Sequence, residues 1–303
     1  MRTATALLAL AVIAVVVGVL AWPEPSKGPA SAATPPPSLA EPRPSESPTT
    51  RKAIWGPALH EGRSQFPIYA ELGADTFQYT LTWDTVAPDR PAAPRDPNDP
   101  AYQWPEELDV AVREAERYGI DLSLTLTFAP AWVNDGQGRT VPPADPRAFA
   151  DFASAASRRY PSAVSWLVWG EPNREGNFEP DIPSGEDVTE TKPRRYARLL
   201  DAAYGALKEA DATDSVIGGN TFTVGEVLPR DWIANLRLPD GQPPRMDLYG
   251  HNPYTTRRPD LAKEPIVAGS ADFSDLDTLA GWIDDDLRPD LPIFISEFTL
   301  PTD

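Results

Sequence analysis

Two glutamates stand where apolar runs stop. Glu171 closes Ser165-Trp-Leu-Val-Trp-Gly-Glu171, and Glu297 closes Ile293-Phe-Ile-Ser-Glu297. Read as strands, whose side chains alternate between two faces, these segments put 165, 167, 169 and 171 on one side, and 293, 295 and 297 likewise together. A charge that follows an apolar run is costly unless it is solvated, paired or used. Taken singly, either carboxylate serves equally well as a strand-terminal group that caps a helix or pairs with Arg174. Taken together, at the same ends of two strands, they suit chemistry in which one group protonates a leaving oxygen and the other attacks an acetal carbon, from carboxylates about 5–5.5 Å apart. Two such groups cannot both ionise easily, so one holds a proton near neutral pH. Once the other becomes an ester the repulsion vanishes, and the proton donor can act as a base toward water. No metal or organic cofactor is required.

The elements that must position this pair form a repeat from about Arg51 onward. Short β-type runs at 53–59, 76–82, 122–128, 164–169, 215–220, 246–250 and 292–296 alternate with amphipathic helical segments at 65–72, 106–118, 146–160, 193–210, 229–236 and 275–287. That alternation is the signature of βα units on a parallel sheet. Neither a Gly-x-Gly-x-x-Gly turn after the first strand nor a Gly-Lys-Ser/Thr loop is present, so the nucleotide-binding doubly wound folds lose their usual support. The predicted fold is therefore an α/β (β/α)8 barrel, in which functional groups collect at the C-terminal ends of the strands. Those ends carry Trp55 and His60, Trp83, Trp132, Trp169 to Asn173, Asn220, His251 to Tyr254, and Glu297. Strand seven closes near Ser296 with seven residues to follow. The reading expects a barrel truncated after strand seven, a fragment of a longer reading frame lacking at least one βα unit.

Composition narrows the partners. With 27 Lys+Arg against 45 Asp+Glu and a formal net charge of −18, the surface repels nucleic acid and anionic lipid. The absence of cysteine removes disulfides, thiolate metal sites and cysteine nucleophiles, and two histidines are too few for multi-His metal centres. Residues 3–22 are uncharged and mostly Ala, Val and Leu, so 1–22 reads as a signal peptide or a signal anchor. Nine prolines among Ser, Thr, Ala and Glu make 23–50 an extended, stiff linker, followed by the barrel domain at 51–303. The expected location is extracellular or at the cell surface, with membrane contact only through the N-terminal segment.

Trp169-Gly-Glu171-Pro-Asn173 resembles the Asn-Glu-Pro acid/base motif of the clan A glycoside hydrolases, retaining enzymes with catalytic glutamates after strands four and seven. Ile295-Ser-Glu297-Phe resembles the clan's nucleophile strand, and His251-Asn-Pro-Tyr254 its strand-six element. The likeness runs through 51–303 in order and spacing. Its Trp-x-Glu-Pro-Asn form is closest to the β-xylosidase/α-iduronidase family, with the cellulase family next. The resemblance implies that Glu171 is the general acid/base, that Glu297 is the nucleophile, that Tyr254 hydrogen-bonds Glu297 and stabilises its carboxylate, and that the partner is a β-linked carbohydrate. The pattern departs from the clan at Gly170, where members carry an Asn whose amide binds the sugar 2-hydroxyl, and at the end of strand two, which lacks the arginine many members have. Asn173, Asn220 and Asn252 are candidates to make the 2-hydroxyl contact instead.

Most remaining candidates have two readings. Trp83 and Trp132 are sugar-stacking platforms or core residues. His60 is a substrate contact or a satisfied loop histidine, and His251, from the strand-six element, is expected to bind substrate. For the whole chain, the alternative to an exported glycosidase is a catalytically inactive barrel that binds glycans at the cell surface. An inverting hydrolase or a lyase would need a wider carboxylate separation or a different base.

Overall fold

The computed structural model describes residues 51–255, 257–260 and 263–299. The expected signal segment at 1–22 and linker at 23–50 lie outside the described residues.

Seven parallel strands lie side by side in chain order. They are β1 (Ala53–Trp55), β2 (Thr76–Thr82), β3 (Asp121–Thr127), β4 (Ala163–Val168), β5 (Ser215–Phe222), β6 (Leu248–Asn252) and β7 (Ile293–Ile295). The helices are α1 (Phe66–Glu71), α2 (Trp83–Val86), α3 (Glu106–Tyr118), α4 (Pro146–Arg159), α5 (Val188–Ala210), α6 (Pro229–Asn235) and α7 (Leu276–Asp286). This is the expected (β/α)8 architecture through strand seven. Among the described residues β1 and β7 each pair on one side only.

Three elements differ from the sequence reading for local reasons. The first strand stops at Trp55, because Pro57 offers no N–H to continue a ladder. Leu59–His60 instead pairs antiparallel with Arg63–Ser64 around Glu61 and Gly62 at φ of 49° and 74°. Strand six begins at Leu248 and not at 246, because the Asp247 carboxylate caps the ladder sideways, accepting from the Val216 amide at 2.8 Å. Helix α5 starts before Pro193, at Val188, where Asp187 accepts from the Thr189 amide at 2.9 Å. A side-chain cap of this kind satisfies a free first-turn donor and fixes where the helix begins.

Alternation divides the sheet into two chemically different faces. Phe77 of β2 packs on Phe66 and Tyr69 of α1, with ring centroids 4.8 and 5.7 Å away. On the opposite face, Gln78, Ser123 and Ser165 sit in register across β2, β3 and β4, all buried. There Ser165 Oγ donates to Ser123 Oγ at 2.8 Å.

Trp83 is not a platform. It opens α2 with 1% of its surface exposed, stacked on Phe152 of α4 at 5.3 Å and edge-on to Trp132 at 5.5 Å. An apolar ring following a buried strand gains more by completing the strand–helix core than by lining a wet loop. The half-buried Trp132 is held as well, since its indole N–H donates to the Ala87 carbonyl at 2.8 Å and Arg90 lies over its ring. Trp83→Ala should therefore cost about 3–5 kcal/mol of folding stability, read as a lowered midpoint in urea. A loss under 1 kcal/mol would show that the ring is dispensable to the core.

Candidate active site

The site is built on an unusual bend. Where β4 ends, Trp169 and Glu171 take φ of 63° and 44°, left-handed values that a non-glycine side chain adopts only when its surroundings impose them. Buried hydrogen bonds impose it here. The Trp169 amide donates to the Leu126 carbonyl at 2.8 Å, and its indole N–H donates to the Asn177 carbonyl at 2.7 Å. From β5, Asn220 Nδ2 donates to the carbonyls of Val168 and Trp169 at 3.3 and 3.0 Å. Strand alternation thus ends at Val168, and the bend, not the pleat, sets the direction of Glu171.

Beyond the bend, Asn173 stitches the loop to β5. Its Nδ2 donates to the Phe222 and Val227 carbonyls, each at 3.1 Å, and its Oδ1 accepts from the Phe222 amide at 2.8 Å. The approach is so close that a Cβ on Gly225 would lie 2.3 Å from the Asn173 carbonyl oxygen. Behind the loop, buried Lys192 donates to the Arg174 carbonyl at 3.1 Å and pairs with Glu226 at 2.6 Å and Glu179 at 3.2 Å.

Glu171, Glu297 and Tyr254 come together in one hydrogen-bonded cluster. Glu171 Oε1 accepts from Asn252 Nδ2 at 3.0 Å. Asn252 Oδ1 in turn accepts from the hydroxyl of Ser296, the neighbour of Glu297, and the Tyr254 hydroxyl donates to Glu297 Oε2. Burial first, then that hydrogen bond and the charges of Glu297 and Glu171, raise the Tyr254 phenol above its usual range. It therefore remains a donor throughout the neutral range. Glu171 Oε2 accepts from Arg174 Nη1 at 2.6 Å, with the Glu171 side chain 12% exposed and that of Arg174 46%. The Arg174 guanidinium lies over the Phe222 ring at 4.8 Å, and Phe222 packs against Tyr254 at 5.5 Å.

Other expected contacts are placed elsewhere. His251 is fully buried, its Nδ1 paired with Thr221 Oγ1 and its Nε2 with the Ala271 carbonyl, both at 2.9 Å. Both ring nitrogens are occupied, so this residue braces β6 and does not contact substrate. Asn173 and Asn220 are likewise committed to backbone groups, and positioning replaces the sugar contact expected of them. His60 lies exposed on the hairpin and bonds to neither glutamate. Asn252, Arg174 and Phe222 are the cluster members that sequence reasoning underweighted. Adjacent strand residues face opposite ways, so His251 and Asn252 cannot both face the site, and Asn252 shares its parity with Tyr254. Among the described residues no group of His, Asp and Glu is arranged to hold a metal ion. A cavity of about 230 Å³ lined by Asn134, Pro143, Arg195 and Leu199 contains none of the cluster residues.

No protein-family profile matches the chain, and no curated protein sequence is similar to it. Its fold is that of a class of glycoside hydrolase barrels. A family 39 glycoside hydrolase from the gut symbiont Bacteroides cellulosilyticus WH2 superposes with a TM-score of 0.57 at 17% identity, over 82% of this chain and 49% of that one. A monomeric β-xylosidase from Caulobacter crescentus CB15 gives 0.53 at 18% identity, over 84% and 52%. A glucosidase from Croceicoccus marinus gives 0.55 at 16% identity, over 84% and 52%. The chain thus spans about half the length of the structures it matches, and at these identities the likeness establishes the fold.

Burial pushes the His251 imidazole down from 6.5 to about 4, against the opposing effect of its bonds to Ala271 and Thr221. Between those values the unfolded chain binds a proton that the folded chain excludes, so stability rises with pH across the window and is lost as pH falls through it. The expected loss between pH 7 and pH 4 is about 3 kcal/mol, seen as a falling melting temperature. The slope should flatten in His251→Gln; an unchanged slope would assign the acid sensitivity to other groups.

Proposed function

We propose that this protein is a glycoside hydrolase that cleaves a β-linked oligo- or polysaccharide by retaining double displacement. The observation that carries this reading is the Glu171–Asn252–Ser296 bridge, which links one carboxylate to the residue beside the other and ends at the Tyr254–Glu297 hydrogen bond. The barrel fold shared with glycoside hydrolases supports it.

In the first step Glu297 attacks the anomeric carbon, the glycosidic C–O bond breaks, and Glu171 gives its proton to the departing oxygen. The product is a glycosyl ester on Glu297. In the second step Glu171 takes a proton from water as that water attacks the same carbon and releases Glu297. Tyr254 holds Glu297 through Oε2, leaving the other oxygen to attack. Asn252, fixed by both its own amide groups, keeps Glu171 at a constant height above β6. The uncharged stretch at 3–22 and the proline-rich 23–50 support export, with the barrel held at or released from the cell surface; fractionation of expressing cells that finds the intact chain in the cytosol would contradict this.

Glu171→Gln and Glu297→Gln should each lower kcat by about 10²–10⁴ without shifting the melting temperature downward. Glu171→Ala should keep more activity on aryl glycosides with good leaving groups, and added azide should restore its second step. Equal loss on activated and unactivated substrates would reassign the acid. A glycan-binding barrel without turnover is the other reading, favoured by the Arg174 ion pair and by Gly170; saturable binding with no hydrolysis of xylan, glucan, mannan or galactan oligosaccharides would establish it.

Gly170 has room for a side chain. Its φ is not left-handed, and an added Cβ would meet nothing within 4 Å. Gly170→Asn is therefore expected to fold normally and to raise kcat/KM by about tenfold by supplying a 2-hydroxyl contact; on a 2-deoxy glycoside the gain should vanish.

A further inference from the structure

The cluster has one feature that glycoside hydrolysis does not call for. Both oxygens of Glu171 are engaged, Oε1 by Asn252 at 3.0 Å and Oε2 by Arg174 at 2.6 Å, with Asn177 Nδ2 more distant at 3.5 Å. The guanidinium at 2.6 Å holds Glu171 as an ion-paired acceptor, whereas delivery of a proton to a glycosidic oxygen needs that carboxyl as a donor. One donor must yield. Asn252 is buried, and its own Oδ1 is tied to Ser296. Arg174 is the more exposed partner, with its side chain 46% exposed and Glu171 the one carboxylate within ion-pair distance among the described residues.

When it swings off Glu171, the guanidinium needs another acceptor. A neutral sugar offers only hydroxyls, whereas a carboxylate or sulfate restores a charge-assisted, fork-shaped pairing. Because Glu171 acts on the leaving oxygen, a group within reach of Arg174 belongs to the leaving-group side of the scissile bond. On a chain of net charge −18, general attraction does not draw an acidic glycan, so any preference for one must come from local cations such as this.

We propose that Arg174 is a specificity-determining residue: it occupies the acid oxygen of Glu171 at rest and is drawn off by an oxyanion on the leaving-group sugar, so that acidic glycans are turned over in preference to neutral ones. This rests on the glycosidase reading above. Loss of Arg174 then has opposite consequences for the two kinds of substrate, which a purely structural role does not produce.

The test uses the full chain with aryl glycosides of whichever glycone is hydrolysed, carrying phenol, carboxyphenol or sulfophenol leaving groups matched in leaving ability, and their sulfur-linked, non-hydrolysable counterparts for calorimetry. Wild type should favour the charged aglycones by about tenfold in kcat/KM. Preference for the carboxylate or for the sulfonate, which stands in for a sugar sulfate, names the source of the oxyanion, and either supports the proposal. Arg174→Gln should lower kcat/KM on the charged substrates and raise kcat on the neutral one, while Arg174→Lys should retain part of the preference. A Gln variant that changes all substrates by the same factor, with turnover intact, would overturn the role of Arg174 alone. If no O-glycoside is hydrolysed but the charged sulfur-linked ligand binds wild type more tightly than Arg174→Gln, the glycosidase reading fails and oxyanion recognition by Arg174 stands. Absence of both turnover and charge-selective binding overturns both.

Discussion

The left-handed bend after β4 is the constraint on which the site depends. A pleated strand running on from Val168 would carry Glu171 along the sheet direction; the two left-handed residues, Trp169 and Glu171, turn it toward β6 instead. Each left-handed non-glycine residue costs about 1–2 kcal/mol, and each buried hydrogen bond returns about 1 kcal/mol. The four bonds made by Trp169 and Asn220 therefore roughly offset the strain of Trp169, of Glu171 and of Asn220, itself at φ 48°. The Trp169 ring adds apolar burial, wedged between Phe149 and Phe178. A bend stabilised in this way is a rigid mount for the Glu171 carboxylate, and rigidity is what the proton-donor role proposed for it requires.

Three asparagines share the work of holding that mount, and the chemistry of the amide explains the choice. A short planar amide can donate to carbonyls and carboxylates without bringing a charge into the interior; in Asn173 and Asn252 its oxygen accepts as well, whereas the buried Asn220 oxygen has no partner among the described residues. Asn220 clamps the bend from β5, Asn173 ties the following loop to Phe222 and Val227, and Asn252 joins Glu171 to Ser296. A carboxylate in any of these positions would face carbonyl oxygens or Glu171 itself, and a hydroxyl would reach only one partner. The buried polar row of Gln78, Ser123 and Ser165 beneath them continues the same theme, a sheet whose inner face is hydrophilic.

Charge is managed locally against the bulk. The chain as a whole is strongly acidic, yet two cations, Arg174 and Lys192, stand at the segment after Glu171. Lys192 is almost wholly buried between Glu179 and Glu226 and donates to the Arg174 carbonyl, an arrangement in which the ion would be costly to bury without both partners. It fixes the Arg174 backbone while the guanidinium, over Phe222, stays half exposed. A fixed base with an exposed head is what the proposed exchange of Arg174 between Glu171 and a second oxyanion requires.

The order of βα units, the seven strand positions to within a few residues and the two glutamates at strand ends four and seven were legible in the sequence, because hydrophobic periodicity and turn residues are local properties of the chain. The Tyr254 partnership with Glu297 was accessible through motif resemblance. Alternation alone says that one of His251 and Asn252 faces the site but not which; the parity that Asn252 shares with Tyr254 points to Asn252, and the register of β6 against β5 settles it. Sequence could not decide between the two readings of Trp83, commit Asn173 and Asn220 to backbone carbonyls, or choose the Arg174 pairing over a helix cap for Glu171. Those outcomes depend on which long-range neighbours fill a side chain's hydrogen bonds or cover its rings. Chain order determined what groups this protein has at the strand ends; packing between strands distant in sequence decided which of them remain free to act.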